Sequence, residues 1–277
     1  MIESRLLLLT TLCAVPAAAQ QRPLQGFDAY VAKAVTDWRV PGLAIVVVKN
    51  DSVAFIKTYG VRELGKPEPV TVHTRFGNMS TTKAFTALLI AMLADSARLS
   101  FDDPVQKHLP ALQFADPYVS HEITVRDLLT HRVGFGDPEY LWRSSGLDFG
   151  TIVPRLRFVP PTTSFRSRFQ YNNVTYALAG DVAAYASRKS WQELMRTWIY
   201  GPLGMTESYA DSRELVAAGV TDVVSPHGII RDTVRVLPVP LNVIDGIPAA
   251  GSAFSTATDM GKWLRFLLDS GRVSGGG

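Results

Sequence analysis

The stretch FGNMSTTKAFTA, residues 76–87, decides how this chain is read. Ser80 and Lys83 stand three apart, so on a helix they share one face. Both fall in the first turn, where the positive end of the helix dipole disfavours an ammonium. The following Phe85, Leu88 and Leu89 make the segment to Leu93 apolar on nearly every side, which predicts a helix buried in a core. Burial also disfavours the charged form of a lysine. A neutral Lys83 amine could then take a proton from Ser80, which is expected at a buried helix start. The spacing alone is weak: about one Ser-x-x-Lys arises by chance in a chain of this length. A surface serine with a solvated lysine is the plainer reading, and the apolar surroundings argue against it.

Working outward towards the N-terminus, Leu43 to Val48 is an apolar, β-branched run. Lys49-Asn50-Asp51-Ser52 is turn-like, and Val53 to Thr58 alternates enough for a second strand, so the pair predicts a hairpin. Before it, Phe27, Tyr30, Val31, Ala34, Val35 and Trp38 recur at helical spacing until Pro41-Gly42. Earlier still, Arg5 precedes the apolar run 6–15, and Ala17-Ala18-Ala19 offers small residues for cleavage. Residues 1–19 therefore read as an export signal, with residues 20–277 as the domain and no membrane span retained. The only cysteine, Cys13, lies in that signal, so the processed chain has no thiol for disulfides, catalysis or metal binding. Thr10-Thr11-Leu12 is a poor fit to the small residues that precede a lipid-modified cysteine. The expected location is periplasmic or secreted.

Downstream, FQYNNVTYALAG, residues 169–180, carries Tyr171 and Asn173. A tyrosine hydroxyl beside a lysine can relay protons. An asparagine amide can orient the lysine and a substrate carbonyl. Taken alone, a core tyrosine in a turn is the more frequent meaning of such a stretch. Ser190 and Glu193 predict a capping box for a helix over Trp191 to Ile199 that Gly201-Pro202 should stop. Val223 to Val239 is short and β-rich, and Thr256 with Asp259 predicts the start of a last helix whose apolar face runs to Leu268. Strands early, helices in the middle and strands late predict an α+β fold with a helical insertion.

In order and spacing these stretches resemble the serine β-lactamase-related hydrolases: class C β-lactamases, D-alanyl-D-alanine carboxypeptidases and family VIII esterases. That family carries S-x-x-K, then Y-x-N, then K-T-G or H-x-G on a late strand. Ser80 and Lys83 match the first motif, Tyr171 and Asn173 the second. PGLAIVVVKND (41–51), DLLTHRVGF (127–135), IYGPLGMTESY (199–209) and AAGSAFSTATDMGKWLRFLL (249–268) extend the likeness over nearly the whole processed chain. The resemblance implies a β-lactamase-like antiparallel sheet flanked by helices. It also implies an acyl-enzyme on an ester, amide or β-lactam, with Ser80, Lys83, Tyr171 and Asn173 as catalytic residues and no cofactor. No K-T-G or H-x-G follows residue 268, and His227-Gly228 comes too early and lacks the intervening residue. Residues 20–277 are thus expected to be C-terminally incomplete, without the third motif and the oxyanion-hole N–H on its strand.

Other classes fit less well. No serine sits in G-x-S-x-G. The histidines at 73, 108, 121, 131 and 227 are scattered, and His121-Glu122 lacks a second histidine, so no zinc site is expected. His131 reads as a structural position. Lys plus Arg number 28 against 25 Asp plus Glu, a net charge of +3 too mild for a nucleic-acid binder. Arg155, Arg157, Arg166 and Arg168 precede Tyr171 and could steer an acidic substrate, although an ordinary solvated loop accounts for them better. The expected partner is a small molecule or peptide. A non-catalytic penicillin-fold binding or scaffold protein is the rival of another class, and it has no need of all four motif residues.

Overall fold

The computed structural model describes residues 24–143 and 145–273; the export-signal reading of 1–19 and Cys13 lie outside the described residues. Helix α1 (Phe27–Asp37) leads into strands β1 (Gly42–Lys49) and β2 (Ser52–Gly60), which pair antiparallel as expected. Asn50 and Asp51 both hold positive φ, the geometry of a tight hairpin turn whose twist matches the strands. Strand β3 (Phe76–Gly77) and a 3-10 turn (Met79–Thr81) then deliver the chain into α2 (Thr82–Asp95).

The middle of the chain is helical, as expected. It holds α3 (Pro117–Glu122), α4 (Val125–Thr130), α5 (Glu139–Trp142), α6 (Phe149–Ile152) and α7 (Asn173–Ser187). Next come α8 (Trp191–Leu194), a π-helical stretch (Met195–Tyr200), α9 (Gly201–Leu203) and α10 (Ser212–Ala217). Two details differ from the sequence reading. Ser190 accepts from the Glu193 N–H, but the Glu193 side chain pairs with Lys189, so the capping box is one-sided. Gly201-Pro202 does not stop the helix. The backbone widens over 195–200, runs helically through Pro202 to Leu203, and turns at Gly204 in the left-handed region.

Late strands β4 (His227–Ile230) and β5 (Thr233–Val236) pair with each other rather than with β1 and β2. Helix α11 (Pro248–Gly251), strand β6 (Phe254–Ser255) and α12 (Ala257–Leu268) follow, and β6 pairs with β3. Thr256 caps α12 by accepting from the Asp259 N–H; the Asp259 carboxylate turns instead to the Glu207 N–H, Ser208 Oγ and Lys262.

Helix α12 lies between the sheet and α2. Gly261 makes this approach workable, since a Cβ there would stand 3.2 Å from the Val46 side chain. On the other side the Trp263 ring meets Phe85 at 4.4 Å between centroids. Phe85, Leu89, Ile90 and Leu93 of α2 are wholly buried with Val174, Leu178 and Val182 of α7 and Leu128 of α4. Each such side chain contributes about 1.5–3 kcal/mol of burial free energy. The helix carrying Lys83 is therefore the rigid centre of the fold. Arg265 clamps Asp51 with bonds of 2.8 and 3.1 Å, tying α12 to the hairpin turn.

Candidate active site

Ser80 sits in the 3-10 turn before α2, and Met79 in front of it has φ 46°, an uncommon conformation for a side chain of that size. The turn leaves Ser80 exposed, which corrects the expectation of a buried serine. Lys83, one turn further on, is the buried member at 7% exposure. The Ser80 N–H falls in the first helical turn, where N–H groups have no acceptor in the preceding turn.

All four residues singled out in the sequence converge. Lys83 Nζ lies 3.1 Å from Ser80 Oγ and donates to Asn173 Oδ1 at 2.6 Å, and Ser80 Oγ lies 2.6 Å from the Tyr171 hydroxyl. A third bond from Lys83 goes to the Ala250 carbonyl at 2.8 Å. Two of these three partners, the Asn173 and Ala250 carbonyls, can only accept. A neutral amine has two protons and one lone pair, so its protons go to those carbonyls and the lone pair is left for Ser80. Burial pushes the Lys83 amine below the usual lysine range, with Tyr171 and Asp137 pulling the other way.

Local structure explains the convergence. The Asn172 side chain caps α7 by accepting from the Thr175 N–H, and it donates to the carbonyls of Phe135 and Gly136. This pins the start of α7, with Tyr171 and Asn173 on either side of the cap, to the segment after α4. Gly180 lets α7 approach α11, since a Cβ there would stand 2.4 Å from the Ala249 Cβ. Thr86 donates to the Ala249 carbonyl at 2.7 Å, and the Trp191 indole donates to Thr86 at 3.1 Å. The Ala250 carbonyl is fixed over Lys83 by this packing.

His131 holds Tyr171 from beneath. Its ring stacks on Tyr171 at 4.5 Å and its Nδ1 accepts from the Asn172 N–H at 3.1 Å. Burial, then the charge of Lys83, keep His131 below the usual histidine range. Of the arginines before Tyr171, Arg166 is a structural partner. It donates to Asp127 at 2.6 and 2.9 Å and to the Glu122 carbonyl. Arg155 donates to the Thr151 carbonyl and Arg157 lies over the Phe158 ring. Among the described residues no cluster of His, Cys, Asp or Glu could hold a metal ion, and no helix is long and apolar enough to cross a membrane.

Sequence reasoning passed over two participants. Ala250 acts through its backbone carbonyl, which no side-chain pattern reveals. Asp137 accepts from Asn173 Nδ2 at 2.5 Å and from the Trp142 indole at 3.2 Å. Its only signal was a lone acid after the Gly134–Gly136 turn. Beyond Trp142 a cavity of about 380 Å³ opens between Leu147 and the segment 240–246.

The fold is of the β-lactamase and penicillin-binding type. The chain belongs to the beta-lactamase family, whose model matches residues 27–276. It is 27% identical over 259 residues to the unguisins hydrolase ungD of Aspergillus violaceofuscus, covering 89% of this chain and 46% of that protein. The octameric penicillin-binding protein homologue from Pyrococcus abyssi superposes with a TM-score of 0.76 at 27% identity, over 89% of this chain and 56% of that one. A class C beta-lactamase shares the fold at a TM-score of 0.72 and 21% identity, over 86% of this chain and 62% of that one. The chain thus spans about half the length of the fungal hydrolase.

Proposed function

We propose that the chain carries the acylating site of a serine hydrolase acting on an ester, amide or β-lactam carbonyl, with Ser80 as nucleophile. The observation that carries this reading is the single hydrogen-bonded group formed by Lys83 Nζ, Ser80 Oγ and the Tyr171 hydroxyl. Neutral Lys83 takes the Ser80 proton as Oγ bonds to the substrate carbonyl carbon. The tetrahedral intermediate collapses, the bond to the leaving group breaks, and that group departs with a proton passed from Lys83 through Tyr171. The acyl group is left on Ser80, and water releases it as the acid and restores the hydroxyl. Asn173 and the Ala250 carbonyl orient Lys83. The Ser80 N–H is the candidate oxyanion donor on this chain.

The unguisins hydrolase supports hydrolytic chemistry on this framework, and the resemblance to penicillin-binding proteins supports peptide-like carbonyls as the substrate class. The apolar run 6–15 supports export of the chain. The test is incubation with a fluorescent penicillin and with a serine-reactive fluorophosphonate, followed by peptide mapping. Label on Ser80 is the expected result, and label only on another serine sinks the assignment.

A further inference from the structure

Asn173 has one end that accepts and one that donates, and its two ends have opposite partners. Its oxygen faces Lys83 at 2.6 Å and its amide nitrogen faces Asp137 Oδ2 at 2.5 Å. Turning the amide over would set NH2 against the Lys83 amine and oxygen against a carboxylate, so two good bonds would become two repulsions. The carboxylate is itself held in place. Its other oxygen accepts from the Trp142 indole, and the Asn172 bonds to Phe135 and Gly136 fix the backbone leading to it.

We propose that Asp137 is a positioning residue for the Ser80–Lys83 couple: it locks the Asn173 amide with its oxygen towards Lys83 and keeps a negative charge two hydrogen bonds from the Lys83 amine. This rests on the acyl-transfer reading above and deepens it. The titratable groups facing Lys83 are Tyr171 and Tyr176, with rings 4.9 and 5.5 Å from Nζ, His131, and Asp137. Of these, Asp137 is the only carboxylate. Burial drives Lys83 towards the neutral amine, and the Asp137 charge opposes burial.

A base must be unprotonated, so Ser80 reactivity rises with pH through the Lys83 pKa. Removing a nearby negative charge lowers that pKa and moves the acid limb to lower pH. The second-order rate of Ser80 labelling by fluorophosphonate is measured against pH in the full chain, for the natural protein, Asp137→Asn and Asp137→Glu. Asp137→Asn should shift the acid limb down by roughly half a pH unit or more, and Asp137→Glu should leave it near the natural position. Asp137→Ala, which frees the amide, should also lower the plateau rate roughly tenfold or more. A purely structural Asp137 would lower melting temperature and rate without moving the limb. In parallel, NMR titration of 13C-labelled lysine follows Lys83 directly, and its pKa should fall in Asp137→Asn. Should that variant not fold, Asp137→Ser carries the same comparison. An unmoved limb with unmoved Lys83 titration overturns the proposal, as does an equal shift in Asp137→Glu. Absence of label on Ser80 in the natural protein overturns the acyl-transfer reading instead, and the Lys83 titration still decides the role of Asp137.

Discussion

Lys83 Nζ lies 2.8 Å from the carbonyl oxygen of Ala250, 167 positions further along the chain. That bond takes one of the two protons of a neutral lysine and Asn173 takes the other, so the lone pair is directed at Ser80 by elimination. The base is aimed by a backbone group as much as by its own helix.

Ser80→Ala should abolish covalent labelling and ester turnover with little change in melting temperature. Ser80 is exposed, and exposed substitutions usually change stability by less than about 0.5 kcal/mol. Thermal unfolding beside a chromogenic-ester assay checks both halves. A large fall in melting temperature would mean that the hydroxyl is structural.

Lys83→Arg keeps positive charge but cannot give up a proton in the useful range. A loss of roughly a hundredfold or more is expected, the usual scale for a general base. Tyr171→Phe added to it should cost less than the product of the two single losses, because the two side chains meet at the same Ser80 oxygen. A double-mutant cycle on acylation rate measures this, and fully multiplicative losses would assign the residues to separate steps.

Gly180→Ala tests whether the packing of α7 on α11 aims Lys83. The added methyl would stand 2.4 Å from the Ala249 Cβ, so one helix must move. Overpacking of this kind costs about 1–3 kcal/mol. Acylation should fall further than stability alone explains, since the Ala250 carbonyl moves with α11. Rates compared well below the melting temperature separate the two effects.

Arg166→Ala should destabilise the fold by about 1–2 kcal/mol near neutral pH. Burial pushes the Asp127 carboxyl up, and hydrogen bonds from Arg166 and Thr124 more than offset this, so it sits below the usual carboxylate range. A depressed carboxylate stabilises the fold above its unfolded pKa, and that stabilisation is lost as pH falls through the folded value. The difference between variant and natural protein should therefore be largest near pH 7 and shrink below about pH 4, read by denaturant unfolding across pH. A difference independent of pH would show that the Arg166 stem, not its charge, matters.

The α+β class, the hairpin over 43–58 and the buried helix after Ser80 were legible because each is encoded locally, whereas Tyr171 and Asn173 stood out only through the family resemblance. Alternation gives strands, an apolar run gives a buried helix, and a three-residue spacing puts Ser80 and Lys83 on one face. The sequence by itself thus determined the fold class, the hairpin, the buried helix and the sign of the burial effect on Lys83, and through a family resemblance it singled out Ser80, Lys83, Tyr171 and Asn173 as candidates. The tertiary structure decided the rest. The Ala250 carbonyl has no side-chain signal, and Asp137 is an ordinary turn acid until Asn172 ties its segment to the start of α7. Ser80 came out exposed because it lies in the 3-10 turn at 79–81 that precedes α2, whereas Lys83 lies inside the buried helix. Which proton goes to which acceptor depends on atoms brought within 3 Å from four separate segments, and only the folded packing of α2, α7 and α11 sets those distances.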